Sequence, residues 1–316
     1  MPVLVRRLVH LMVVLFCVTL FVALLTSMLP GDPVNAIAGF APEEQKDEIR
    51  DRLGLDDPIP VQYGRWVRDF VTGDLGSYWT VTGDRPVAER VAEALPVSLQ
   101  LMFYAQLLAL VFAIPIGVAT AYRAGSRFDR GSNATAFGLI AIPNFALALV
   151  LAYYVGVQLD WLPVSGYVAP SEDFVEHLRR MALPAISLAV GQIAVYMRLL
   201  RSDMIATLQE DFITMAKSKG LSPRRVLWRH ALRPSSLTLL TVAGLNVGTL
   251  IGSAVVIEVI FSLPGVGSLL YEAITARQYI AFQSLVAIIA IGYVVLNFLV
   301  DVLYAVLDPR IRHARS

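Results

Sequence analysis

Six long apolar runs constrain this chain more than any other feature of its sequence. They cover roughly residues 8–29, 97–122, 134–159, 181–200, 236–261 and 282–307. A bilayer core takes about 20 predominantly apolar residues per helix, and each run reaches that length. Hydrophobic residues make up 56% of the chain and charged residues 16%, which is too few for a fully hydrated surface. Strand-like alternation is missing from the runs. The sequence therefore predicts an all-α polytopic membrane protein with six transmembrane helices.

The first run has two interpretations. Arg6 and Arg7 precede it, as they would in a cleaved signal peptide. However, its apolar stretch is longer than a typical signal-peptide core, and no small-residue cleavage site follows. We therefore predict that residues 1–29 are a retained first transmembrane helix, followed by an external segment over residues 30–96 and a five-helix core over residues 97–316.

Arginine and lysine near the helix ends predict the orientation. If the N-terminus is inside, the inside segments hold the basic clusters near residues 6–7, 123–130, 217–233 and 310–315. The short outside loops then hold only Arg179, Arg180 and Arg277. Both termini are therefore predicted to be cytoplasmic, in a multi-pass protein of the plasma (inner) membrane.

The external segment, residues 30–96, has the sequence signals of ordered structure. A first helix is predicted to start after Pro42 and stop at Gly54, and a second to end at Gly73. The apolar spacing over residues 86–95 predicts an amphipathic helix that lies at the interface before the second transmembrane helix. Tyr78 and Trp79 are expected at headgroup level. Two interpretations stay open, a small cap on the outer face and a docking surface for an external partner.

A basic segment between two apolar runs, residues 203–234, predicts a folded elbow. Gly220 stands where a helix C-terminus favours positive φ, Ser222 can cap a second helix, and Pro223 suits its first position. That second helix is predicted to stop before Pro234. A positive inside loop would need only a few charges, so the folded elbow indicates a docking site.

The elbow resembles the conserved cytoplasmic loop of ABC importer permeases, whose pattern is E-A-A, three residues, G, nine residues, I-x-L-P. Thr214-Met215-Ala216 stand at the E-A-A places, Gly220 is the glycine, and His230-Ala231-Leu232-Arg233 follow. Ala216, Gly220 and Leu232 match the pattern. The departures are similar to the peptide and nickel permease branch, whose loop reads like TARAKGLS…RHALRN.

Further motifs of that branch occur in order along the chain. They are LPGDP at 29–33, LGLDDPIPVQYGRWV at 53–67, GDLGSY at 73–78, EVIFSLPGVGSLLYEAI at 258–274 and VDVLYAVLDPRIR at 300–312. One departure concerns the turn after residue 276. The branch often has Arg-Asp-Tyr-Pro there, whereas this chain has Arg277-Gln278-Tyr279-Ile280, which puts the role of that acid in doubt.

The resemblance implies a type I ABC importer permease fold and a subunit that forms half of the pathway of an importer for di- or oligopeptides. It implies four kinds of partner: a second homologous permease, two cytoplasmic ATPase domains, an external substrate-binding protein and the lipid bilayer. Coupling to the ATPase is expected through Ala216, Lys217, Gly220, Leu221, Arg225, His230 and Leu232. The chain has no Gly-Lys dipeptide and so no Walker-type phosphate loop. It is therefore expected to be no enzyme and to hold no cofactor itself, with ATP and Mg²⁺ bound by the partner ATPase.

The fifth run carries the candidate pathway residues Asn246, Thr249, Ser253 and Glu258. Helix packing is the alternative for its hydroxyl groups. Glu258 is expected to face the bundle or the outer water, and Asp301 to be a buried packing partner. Pro143 and Asn144 are expected to break the third run.

Other functions stay open from the sequence. The same machinery could import nickel, glutathione or another small solute, although no cluster of His, Cys or Met favours a metal site. A secondary transporter would predict several intramembrane acids. A membrane-embedded enzyme would need a catalytic motif that the chain lacks, and a net charge of +1 does not favour nucleic acid.

Overall fold

The computed structural model describes residues 2–28, 34–35, 39, 42–80 and 83–307, and it describes no side chains for residues 2–8, 10, 45, 52, 53, 80 and 301–307. The LPGDP motif at 29–33, the side chain of Asp301 and the basic C-terminal cluster therefore lie outside the description.

The described elements follow in chain order. They are α1 (Pro2–Ser27), α2 (Glu43–Leu53), α3 (Ile59–Thr72), β1 (Ser77–Thr80), β2 (Gly83–Pro86), α4 (Val87–Tyr122), α5 (Arg127–Ala141), α6 (Asn144–Leu151), α7 (Phe174–Thr207), α8 (Asp211–Ser218), α9 (Pro223–Arg225), α10 (Leu232–Ile260), α11 (Val266–Thr275) and α12 (Tyr279–Leu307). Two π-helical segments, Ala152–Gln158 and Val226–Ala231, follow α6 and α9 directly.

Four helices within the described part of the chain are long and apolar enough to cross a membrane: Val87–Tyr122, Phe174–Thr207, Pro223–Ile260 and Tyr279–Val300. The pair Arg127–Ala141 and Asn144–Gln158 is bent by 98° and makes a fifth if it is one span. The first helix has a shorter described apolar part, Leu11–Ser27. The count of six spans therefore stays a prediction.

The bend in the third run confirms the expected break at Pro143. Ile142, which precedes the proline, has φ −86° and ψ 119°, and Pro143 itself is extended with ψ 139°. A residue before proline is sterically pushed out of the α region, so α5 ends at Ala141. The single span predicted over residues 134–159 is thus two helical pieces.

Contacts divide the chain into two units, and the first comprises residues 1–98 and 264–295. Its predicted helix ends are confirmed, because Gly54 and Gly73 follow α2 and α3 with φ of +60° and +92°. The antiparallel hairpin β1–β2, with Tyr78 opposite Arg85, was not predicted. The helix predicted over residues 86–95 is present from Val87, but its place as an interfacial helix ahead of the second span is wrong, because α4 continues without a break to Tyr122.

Tyr78 shows how the first unit is held together, while its place at headgroup level stays a prediction. The side chain is buried, at 3% exposure, and its hydroxyl donates a 2.6 Å hydrogen bond to the carbonyl of Leu269. Burial raises the pKa of the Tyr78 hydroxyl above its usual range, so the group stays a donor. Arg90 lies 4.1 Å from the ring centroid and also binds Glu272 with both terminal nitrogens. The Tyr78 side chain is therefore held by a hydrogen bond at its hydroxyl and by the Arg90 guanidinium over its ring.

The second unit comprises residues 99–263 and 296–316, and helices α4, α7 and α10 form its core. Small residues let these helices approach closely. A Cβ placed on Gly117 in α4 would lie 3.1 Å from the carbonyl oxygen of Met197 and 3.1 Å from a methyl group of Leu200 in α7. Helices in lipid gain from such close backbone packing, because lipid tails supply no hydrophobic force between them.

Candidate functional site

The elbow, residues 203–234, is a helix–glycine–helix element as predicted. The last helix before it, α7, ends at Thr207, and α8 then runs from Asp211 to Ser218. Gly220 has φ +76°, and the amides of Gly220 and Leu221 donate to the carbonyls of Lys217 (3.0 Å) and Ala216 (3.3 Å). These bonds close the end of α8 in the way that glycine C-terminal caps do.

The second half of the elbow differs from the prediction in two ways. Ser222 stands at the cap position but makes no side-chain cap hydrogen bond. The helix does not stop before Pro234, because α9 continues through the π-helical segment into α10. A proline in a regular α-helix clashes with the carbonyl four residues before it, which for Pro234 is that of His230. His230 lies in the π-helical turn Val226–Ala231, where the backbone hydrogen-bonding pattern differs, so the helix continues past Pro234.

The elbow is packed against the second unit along one face. Ile213, Ala216, Val226 and Ala231 are all less than one-tenth exposed and belong to the core cluster that also holds Leu200. Because both arms of the elbow contribute to one core, displacing either arm costs buried apolar area.

A hydrogen bond between two hydroxyl groups joins the two ends of the elbow. The Oγ atom of Ser235 lies 2.8 Å from Oγ1 of Thr207 and 2.8 Å from the carbonyl oxygen of Ala231. Thr207 is the last residue of α7, and Ser235 is in the first turn of α10. The elbow therefore begins and ends at a fixed point of the helix bundle.

The outer face of the elbow is both basic and apolar. Lys217 and Arg225 are exposed. Phe212, Met215 and Trp228 are also exposed, at 46%, 59% and 46%. These three side chains were missed as surface residues, because helical spacing alone does not say which side of α8, or of the π-helical segment that holds Trp228, faces the core.

The other predicted coupling residues lie between the two faces. Gly220 is exposed, Leu221, His230 and Leu232 are half-buried, and Ala216 is buried. The structure thus brings all seven predicted residues into one element and gives Ala216 a packing position inside it.

An ion pair that the sequence did not indicate braces the end of α7. Arg201, one turn before the elbow, donates from Nε and from a terminal nitrogen to the two carboxylate oxygens of Asp129 in α5. Asp129 is 2% exposed and also accepts from the amide of Gly125 and from the side chain of Asn133, each at 2.8 Å. The bonds from Arg201 therefore hold α5 against α7, while those from Gly125 and Asn133 fix the carboxylate within the first turns of α5.

A cluster of amides and one phenol lies between α4, α7 and α10. The hydroxyl of Tyr196 donates to Oε1 of Gln106 (3.2 Å), and Nε2 of Gln106 donates to the carbonyl of Ala243 (3.3 Å). Nδ2 of Asn246 donates to Oε1 of Gln192 (3.0 Å). Groups of this kind are costly in an apolar surrounding unless they are paired, and here they pair across helices.

The predicted pathway residues do not form one site. Asn246 belongs to the amide cluster, whereas Thr249 and Ser253 donate to the carbonyls of Asn246 (2.8 Å) and Thr249 (3.4 Å) in their own helix. Glu258 is buried at 1% exposure, which agrees with the first of its two expected positions, the bundle, and not with the outer water. Within the part of the chain that the structure describes, no group of three His, Cys, Asp or Glu side chains is placed to hold a metal ion.

Two sequence profiles match the chain. The family described as "Binding-protein-dependent transport system inner membrane component" matches residues 113–313. Its N-terminal counterpart, described as "Binding-prot-dependent transport system membrane comp, N-term", matches residues 1–102. The chain belongs to this family. It is a permease subunit of an ABC importer in the inner membrane, as the resemblance of the elbow predicted.

Relatives of the permease are similar to it along nearly their whole length. The di/tripeptide transport system permease protein DppB of Pseudomonas aeruginosa is 37% identical over 332 residues, and 98% of each chain is covered. The oligopeptide transport system permease protein AppB of Bacillus subtilis is 35% identical over 312 residues, again with 98% of each covered. The probable peptide ABC transporter permease protein y4tP of Sinorhizobium fredii is 35% identical over 310 residues with the same coverage.

A solved structure shares the fold of the permease. A chain of the inward-facing MetNI methionine ABC transporter superposes with a TM-score of 0.55 at 15% sequence identity. The match covers 69% of this permease and 96% of that chain. This likeness shows the importer permease fold that the sequence predicted.

Gln278, at the position where the peptide branch often has an acid, has a defined role in the permease. Its Oε1 accepts from the amide of Trp79 (3.1 Å), and its Nε2 donates to the carbonyl of the same residue (2.7 Å). An aspartate could accept but not donate in this way. The amide therefore ties the start of α12 to strand β1 within the first unit.

Proposed function

We propose that this permease forms half of the translocation pathway of a peptide importer. We propose further that its elbow transmits the conformational change of a partner ATPase to the transmembrane helices. The proposal rests on one observation above all: the elbow is fixed at both ends and by its inner face, while its outer face is exposed, basic and apolar. A displacement of the elbow is therefore passed on to α7 and α10, because neither arm can move without moving the core.

The outer face has the composition of a protein interface. Aromatic residues, methionine and arginine are the types enriched at interface centres, and Phe212, Met215, Trp228 and Arg225 supply them. Residues 203–234 carry six Lys or Arg residues and three Asp or Glu residues, a net of +3 with His neutral. The partner surface is therefore expected to be apolar at its centre and acidic at its edge. A cytoplasmic ATPase is the partner that we assign to it, which places the elbow and both termini on the cytoplasmic side.

The peptide substrate is supported by two of the relatives, which are a di/tripeptide and an oligopeptide transport system permease. The remaining subunits in this proposal are a second homologous permease, a second ATPase domain and an external substrate-binding protein. Nickel, glutathione or another small solute is the alternative cargo, and direct uptake measurements separate these cases.

Gentle purification from the native membrane tests the assembly. Mass spectrometry of the copurifying proteins is expected to find a second permease, ATPases with Walker motifs and an external binding protein. A stable, lone chain without associated ATPase activity would contradict the proposal and would favour a secondary transporter. Uptake of labelled peptides by the reconstituted complex, compared with uptake of nickel and glutathione, then identifies the cargo.

Glu258→Gln is expected to leave ATP-driven uptake largely intact, at roughly the wild-type level. A conformational change driven by a partner ATPase needs no proton relay in this chain. Glutamine keeps the shape of the buried side chain and one acceptor oxygen, and it cannot bind or release a proton. The measurement is peptide uptake by the reconstituted complex at two external pH values. Complete loss of uptake in a normally assembled complex would instead assign Glu258 a role in proton transfer.

A further inference from the structure

A second candidate site lies in the first unit, away from the elbow. A cavity of about 830 Å³ opens there, next to the last turns of α1, one side of α3 and the first turns of α12. Sites for small molecules are typically about 300–1,000 Å³, so the volume fits a ligand of the size of a few residues. Nothing in the elbow or in the amide cluster contributes to its lining.

The mouth of this cavity is acidic. Four aspartates line it, namely Asp56, Asp57, Asp69 and Asp74, against the two arginines Arg50 and Arg65, a difference of −2. Arg65 pairs with Asp57, and Arg68 from outside the lining pairs with Asp69. Among the described residues, Asp56 and Asp74 have no ion-pair partner. The uncompensated charge at the mouth therefore attracts a cation.

The wall of the cavity is aromatic and preformed. The indole N–H of Trp66 donates a 3.0 Å hydrogen bond to Ser284, and the ring centroid of Tyr63 lies 5.9 Å from that of Trp66. The Tyr63 hydroxyl in turn lies 2.9 Å from Oγ1 of Thr19. Because these rings are held in place before any ligand arrives, an organic cation can rest against them at little cost in ordering.

The floor of the cavity carries two polar atoms that make no hydrogen bond within the part of the chain that the structure describes. Gln283 is 8% exposed, and its Nε2 atom has no hydrogen-bond partner among the described residues. The buried hydroxyl of Tyr279, one turn earlier on α12, has none there either. A buried donor without a partner loses its hydration without compensation, and a ligand with a carbonyl oxygen restores a hydrogen bond to it on binding.

We propose that this cavity binds the ammonium end of a short peptide, with the ammonium group at the aspartate mouth and a carbonyl oxygen on Gln283 and Tyr279. The three features call for one ligand that combines a positive charge, an apolar body and an acceptor a few atoms away. An α-amino acyl group has this combination. The choice of a peptide over another organic ammonium compound rests on the proposed function.

The test uses the fluorescence of Trp66 and Trp79, which both line the cavity. The other two tryptophans, Trp161 and Trp228, are replaced by phenylalanine in the full-length purified chain. Alanyl-alanine amide and its N-acetylated form are titrated as probes, since both carry the two carbonyls of the dipeptide amide, and acetylation removes the ammonium charge while adding one carbonyl. The free amine is expected to give a saturable signal with an affinity at least about tenfold higher than that of the acetylated probe.

Three variants locate the contacts. Asp56→Asn is expected to reduce the preference for the free amine, and Gln283→Leu to weaken both probes alike. Asp84→Asn, which changes an exposed aspartate outside the cavity, is expected to change neither. Equal affinities for the two probes, or no saturable signal with either, overturn the assignment. Since Asp56 is exposed, its variant remains informative if Gln283→Leu fails to fold.

Uptake by the assembled transporter separates this inference from the proposed function. Peptide uptake without peptide binding in the cavity overturns the cavity assignment and leaves the importer proposal standing. Binding of the free amine without peptide uptake overturns the importer proposal and leaves the cavity as a site for organic ammonium compounds.

Discussion

Gly220→Val is expected to lower peptide uptake by about tenfold or more while the transporter still assembles. Gly220 has φ +76°, and a residue with a Cβ pays about 1–2 kcal/mol in this region, more if it is β-branched. Space is not the obstacle, because a Cβ at this position would meet no atom within 4 Å. The whole effect therefore comes from the backbone, which must leave the left-handed conformation and change the angle between α8 and α9.

A graded series makes this prediction specific. Gly220→Asn is expected to keep most of the uptake, because asparagine tolerates the left-handed region, and Gly220→Ala is expected to fall between the two. Gly131→Val is the matched control, since Gly131 also has open space for a Cβ but is not among the residues with positive φ. Uptake and substrate-stimulated ATP hydrolysis are measured on the purified complex. Normal uptake by an assembled Gly220→Val complex would show that the elbow does not couple ATP hydrolysis to transport.

Asp129→Leu and Arg201→Leu are each expected to destabilise the chain by about 2–3 kcal/mol. Removing one partner of a buried ion pair leaves the other charge uncompensated, at a cost of about 3–5 kcal/mol in proteins generally. The side chain of Arg201 is 25% exposed, so water recovers part of that cost and the expected effect falls below this range. Asp129→Leu also leaves the amide of Gly125 without its acceptor.

The double variant decides whether the pair itself is responsible. Asp129→Leu/Arg201→Leu is expected to be less destabilised than the sum of the single variants, because neither charge is then left alone. Glu93→Gln serves as the control, because the exposed pair Arg85–Glu93 is expected to contribute less than about 1 kcal/mol. The measurement is thermal unfolding of the purified chain in detergent. Single variants as stable as Glu93→Gln, or strictly additive effects, would contradict a coupled pair.

Local signals in the sequence predicted the elbow well. Gly220 and Pro223 act through their own backbone preferences, so the end of α8 and the start of α9 could be located without knowledge of the rest of the fold. The same local rule failed at Pro234, because a π-helical turn upstream of the proline lets the helix continue. Turns of this kind have no simple sequence signal.

Pairs that are distant in sequence were beyond the reach of pattern reasoning. Asp129 and Arg201 are 72 residues apart, and Gln278 bonds to Trp79 across 199 residues. Asp129, Arg201 and Gln278 had no distinguishing signal in the sequence, because hydrophobic periodicity does not indicate which side chains are in contact in the fold. The buried position of Tyr78 was missed for the same reason, since an aromatic residue beside an apolar run suits a membrane interface equally well.

The sequence by itself determined the helical membrane architecture, the family, the position of the elbow and the left-handed turn at Gly220. These follow from hydropathy along the chain and from single-residue backbone preferences, which act over a few residues. Only the tertiary structure decided which face of the elbow is exposed, which charges are buried as a pair, and which aspartates, aromatic rings and unsatisfied donors share one cavity. These depend on segments that meet across long stretches of chain, where burial and hydrogen bonding, rather than local propensity, select the arrangement.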